Sequence, residues 1–80
     1  MLKYMTGRIP PLSGVEVCKA LQRDGFKNAG GKGSHRKLKK VDNEVRVVIV
    51  PLHDEIAPKT LNSILKQAKI TRERFLELLK

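Results

Sequence analysis

Apolar side chains recur along this chain with two different periods, and the change of period marks its elements. From Ser13 onward, Val17, Cys18 and Leu21 fall on one helical face, Ser13 and Glu16 have the S-x-x-E spacing of a capping box, and Gly25 followed by Phe26 supplies a left-handed stop. A helix is predicted there. Three strand-like segments come next, Phe26 to about Lys32, Ser34 to Val41 and Val45 to Val50, the last β-branched at nearly every position. Asp42-Asn43 is a turn signal, so the second and third segments form a hairpin. Beyond Pro51 the chain turns through His53-Asp54-Glu55, and a helix is predicted from near Pro58, with Leu61, Ile64, Leu65 and Ala68 as its buried stripe. Thr71 then caps a last helix, with Ile70 before it and Phe75 four residues inside as a hydrophobic staple.

The order is α-β-β-β-α with the terminal helix in two parts. The fold class expected is α+β, a three-stranded antiparallel sheet with helices packed on one face and the other face wet and basic. Gly7 and Pro10-Pro11 interrupt any helix before Ser13, so residues 1–12 are expected to be an arm and residues 13–80 the domain. Eighty residues make one small core, with little room for an internal substrate cavity.

Charge narrows the partner. Seventeen Lys and Arg against eight Asp and Glu give a formal +9, which favours a polyanion, nucleic acid first. Cys18 is the single cysteine, which excludes an internal disulfide and a cysteine-based zinc site and fits a reducing cytoplasm. The opening "MLKYMTGRIPPL" has no apolar core of signal-peptide length, and no run approaches the ~20 apolar residues of a membrane span. A cytoplasmic protein without membrane contact is expected.

The stretch "GGKGSHRKLKK", Gly30 to Lys40, is where chemistry concentrates. It is not a Walker loop, because Lys32 is followed by Gly33 and a strand rather than by Ser or Thr and a helix. Nor do His35 and His53 have the helical spacing of a metal pair, and no cofactor is expected. If the turn at Asp42-Asn43-Glu44 sets Val41 opposite Val45, pairing places His35 opposite Pro51 and brings His53 to the same end of the hairpin. Alternation then turns Leu38 to the core, and His35, Lys37 and Lys39 to solvent. Such a setting suits RNA. A neutral imidazole can take the proton of a ribose 2′-hydroxyl, which attacks the adjacent phosphate while cations stabilise the charge gathering on its oxygens. Gly33 lets a phosphate approach the backbone, Ser34 can donate a hydrogen bond, and Lys32, Arg36, Lys37 and Lys39 are candidates to hold phosphates. The competing reading is a solvated strand whose lysines discourage edge pairing, with His53 a turn residue that caps the next segment.

Four segments in order, "LSGVEVCKALQRDGF", "KGSH", "VIVPLH" and "TLNSILKQAKITRERFLELLK", resemble the HicA-type (YcfA-like) mRNA interferase toxins from about Pro11 to Lys80. The resemblance implies a fold similar to the double-stranded RNA-binding domain, which agrees with the element order. It also implies ribosome-independent endoribonuclease activity on mRNA, with the histidine of the Gly-Ser-His step, His35, as the catalytic residue, and the imidazole chemistry above makes that cleavage metal-independent. Its implied partner is a HicB-type antitoxin covering that histidine, and His53 is left as a second acid/base or a structural residue. The alternative is a module of the same shape that binds RNA without cutting it. Gly30-Gly31, where such sequences usually carry longer residues, is expected to loosen the end of the first strand.

Overall fold

The computed structural model describes residues 9–80, so the expected arm falls outside the described residues up to position 8. The elements run α1 (Gly14–Arg23), β1 (Lys27–Lys32), β2 (His35–Val41), β3 (Val45–Pro51), α2 (Pro58–Ala68) and α3 (Arg72–Leu78). This is the predicted order, with the terminal helix in two parts.

Local chemistry accounts for the helix ends. Ser13 Oγ accepts from the Glu16 amide at 3.1 Å while the Glu16 carboxylate accepts from the Ser13 amide at 2.9 Å, the reciprocal capping box. At the other end of α1 the Phe26 amide donates back to the Leu21 carbonyl, which ties Phe26 to the helix and starts β1 one residue later than its pattern suggested. Pro58 occupies the first turn of α2, and Lys69 ends that helix in the left-handed region at φ 58°. Thr71 then starts α3 by accepting from the Arg74 amide. Two arginines from elsewhere close the carboxyl ends: Arg46 donates to the Ala68 carbonyl of α2 and Arg23 to the Leu78 carbonyl of α3.

The sheet has the order β1-β2-β3 and is antiparallel throughout. Pairing of β2 with β3 runs unbroken from Val41 opposite Val45 to His35 opposite Pro51, the register expected from the turn. Asp42 builds that turn by accepting from the Glu44 amide and from Arg46. These bonds, the amide first, hold its carboxyl below the usual range. The support is therefore present at neutral pH and lost only as acid protonates the carboxylate through that lowered pKa.

Pro51 extends β3 beyond the predicted end without costing a ladder bond. The Ile49 amide points away from β2, to the Gln67 side chain at 3.2 Å, and two residues on the proline nitrogen lies on the same outer edge. One face of the sheet buries Leu38, Val48 and Val50 against Val17, Leu21, Phe26, Ile64, Leu65 and Phe75. Each such side chain, removed from water, contributes about 1.5–3 kcal/mol. All the helices bury their stripes on this face, so the other is left to solvent.

A charged corner joins three elements. Asp24, its side chain only 8% exposed, meets Lys40 of β2 and Arg74 of α3, each at 3.1 Å. Lys40 also lies over the Phe26 ring. Asp24→Asn is expected to lower stability by ~1–2 kcal/mol, discounted from a fully buried pair because Arg74 is half exposed. Thermal unfolding of the variant checks this, and an unchanged melting temperature would mean that the corner is ornamental.

Candidate functional site

His35 is the first residue of β2, directly after the Gly33-Ser34 turn, and pairs with Lys32 on one side and Pro51 on the other. Its side chain is exposed. Alternation along β2 carries Lys37 and Lys39 to the same face, and Lys27 of β1, opposite Lys39, joins them. Lys32, Lys37, Lys39 and Lys27 thus surround or follow one imidazole, with same-face neighbours on a strand ~6.7 Å apart. Among the described residues, ion pairs engage Lys40, Arg46, Lys69 and Arg74 but none of these four lysines. The positive charge of this face therefore meets solvent without a neutralising carboxylate.

The end of the first strand is shaped rather than loose. Pairing of β1 with β2 shifts register between Asn28 and Gly31, and Gly31 has φ 127°. A Cβ on Gly31 would come within 2.1 Å of the His35 carbonyl oxygen, so only glycine permits this close approach. The glycines open a shallow cavity of about 240 Å³, lined by Asn28, Gly30, Gly31, Gly33, His35 and Arg36. Strand alternation puts Arg36 on the helix side, half-buried, where its charge opposes the burial that pushes the Cys18 thiol up. Arg36 nonetheless lines the same cavity as His35, where its backbone lies against Gly31, its partner across the β1-β2 ladder. Lys39 does not: with Lys27 it lines a separate depression of about 340 Å³ further along the sheet.

Ser34 is exposed, and its carbonyl accepts from the Leu52 amide at 2.6 Å, so the exit of β3 is fastened to the turn that precedes His35. His53 lies one residue beyond that bond. Its carbonyl accepts from the Gly14 amide at 2.9 Å, which makes it a cap on the start of α1 rather than on the segment that follows it. Among the described residues, no three His, Cys, Asp or Glu side chains gather as a metal-ligating group.

Two features escaped the sequence reading. Asn28 was one: its Oδ1 accepts from the Gly30 amide and so holds the bulge beside His35. The other adds to the expected wet and basic face, for Val41, Val45, Val47 and Ile49 are also exposed on it. The signal was present in "VRVVIV", whose odd positions on a one-sided strand must face solvent.

Fold and site together define a small basic α+β domain that presents one imidazole on a lysine-rich open sheet face. The family model described as the HicA toxin of bacterial toxin-antitoxin matches residues 14–70, and the chain belongs to that family. A search of curated proteins found no match to it. Membership makes the chain a toxin and implies an antitoxin as its partner. Among the described residues, no helix is long and apolar enough to cross a membrane.

Proposed function

We propose that this toxin is a cytoplasmic endoribonuclease, an mRNA interferase, in which His35 is the general base. The reading is carried by one observation above the rest: the exposed His35 at the closed end of the β1-β2 hairpin, among lysines that no acid neutralises. His35 takes the proton of a ribose 2′-hydroxyl, the 2′-oxygen attacks the adjacent phosphorus, and the bond to the 5′-oxygen breaks. The products are a 2′,3′-cyclic phosphate and a 5′-hydroxyl end, with the leaving oxygen protonated from solvent. No metal or cofactor enters these steps.

Around that base, Lys32, Lys37 and Arg36 stabilise charge on the phosphoryl oxygens. Gly33 and Ser34 admit the backbone of the strand, and Lys39 holds a phosphate further along it. His53 is assigned a structural part through its carbonyl. The antitoxin, of HicB type, is proposed to cover His35 and so exclude RNA; a +9 toxin suits an acidic partner whose field also speeds association.

Purified toxin is expected to cut single-stranded RNA in excess EDTA, to leave DNA of the same sequence intact, and to stop cutting when its antitoxin is added. Binding of RNA without any cutting would instead favour the non-catalytic module. The lysines are tested separately. Each phosphate contact on a single strand contributes ~0.7 to the slope of log affinity against log salt, so Lys37→Ala with Lys39→Ala should lower that slope by ~1–1.5 without moving the cut positions. An unchanged slope would place the RNA on another surface.

A further inference from the structure

The face that carries His35 is divided lengthwise, and only half of it suits RNA. Val41, Val45, Val47 and Ile49 are 66, 59, 38 and 42% exposed, while Val48 and Val50 of the same strand are wholly buried. Val41 pairs with Val45, and the other three follow at every second residue of β3, so the four form one lane. A strand with one wet face ordinarily alternates apolar with polar residues, and β3 does not. It is also an edge of the sheet, where exposed apolar residues invite unwanted association. Scattered apolar side chains on a surface need no explanation, whereas a contiguous lane marks a protein contact.

Charge and geometry select the occupant. RNA has no use for the lane, since the solvent-facing positions of β3 offer a phosphate no cation. A second copy is disfavoured, because Lys37 and Lys39 lie directly opposite Ile49 and Val47, and two +9 chains would press these rows together. Addition of a strand to the edge is hindered where Gln67 already takes the Ile49 amide. What fits is a protein laid across the side chains, apolar over β3 and acidic over Lys37 and Lys39.

We infer that Val45, Val47 and Ile49 anchor the antitoxin and take no part in RNA cleavage, so that neutralisation and catalysis are separable on one sheet face. This rests on the function proposed above and adds the surface by which the partner tells this toxin's protein contact from its RNA contact.

The test uses full-length chain carrying Val45→Thr, Val47→Thr and Ile49→Thr, and the separately purified protein encoded by the reading frame beside this chain's gene. Threonine keeps the β-branch at exposed sites, and the single Ile49→Thr variant serves should the triple one fail to fold. Titration calorimetry should show affinity for the partner lowered about a hundredfold in the triple variant and about fivefold in the single one, a hydroxyl replacing a methyl at Val45 and Val47 and an ethyl group at Ile49 in the interface. Cleavage of RNA should stay within about twofold of wild type. Unchanged affinity would overturn the inference, and so would a parallel loss of cleavage, which would assign the lane to RNA. Concentration-dependent dimerisation of wild type, abolished by the substitutions, would give the lane to a second copy. A wild-type chain that neither cuts RNA nor binds the partner brings down the functional reading itself, a result distinguishable because it precedes any substitution.

Discussion

Replacing His35 by alanine is expected to lower RNA cleavage by ~100-fold or more while leaving the melting temperature within about a degree of wild type. The two halves of this expectation come from different features. Catalysis falls because a positioned general base contributes roughly 10²–10⁴ in rate. Stability holds because His35 is exposed and is not part of the hydrophobic core. RNA affinity should also persist, since Lys32, Lys37 and Lys39 remain. Gel-based cleavage and a thermal melt on the same preparation decide the matter, and wild-type cutting by the variant would remove His35 from the catalytic role.

Gly31→Ala should have the largest effect on the fold of the site. Two costs add at this position. An L-residue at φ 127° is strained by about 1–3 kcal/mol, and the new Cβ would sit 2.1 Å from the His35 carbonyl oxygen, a backbone atom that cannot swing aside. The bulge must open, and His35 must move with it. A loss of ~2–4 kcal/mol is expected, which for a domain of this size lowers the melting temperature by roughly 10–30 °C. Cleavage measured well below that temperature should still fall at least tenfold, because a displacement of about an ångström at a catalytic group suffices for such a loss. Gly30→Ala is the control. Its Cβ meets nothing within 4 Å, so only backbone strain remains and the melt should drop by less. Equal behaviour of the two variants would show that contact with the His35 carbonyl does not matter.

The contrast between these glycines shows what one sequence can and cannot tell. Short-range chemistry was legible: Ser13 with Glu16 foretold the start of α1, Pro58 that of α2, and Thr71 with Ile70 and Phe75 that of α3. The Asp42-Asn43 turn fixed the register that sets His35 opposite Pro51, because a continuous hairpin propagates its register from the turn. The β1 bulge was not legible. Its six residues, KNAGGK, carry no alternation and are all exposed, so the strand exists only through pairing with β2. The close approach of Gly31 to the His35 carbonyl is a tertiary fact. Arg36 was legible only in part: alternation sends it to the helix side, while its pairing with Gly31 puts it in the lining of the His35 cavity.

The most direct measurement of the central claim uses one short RNA and the same RNA with a single deoxyribose at each mapped cut position, both treated with the toxin in excess EDTA. Product ends are read by mass spectrometry. The account predicts a 2′,3′-cyclic phosphate, or the 3′-phosphate formed by its hydrolysis, from the all-ribose strand and no cutting at the substituted positions, since the nucleophile there has been removed. Cutting at the deoxyribose positions, or products bearing a 3′-hydroxyl and a 5′-phosphate, would contradict it.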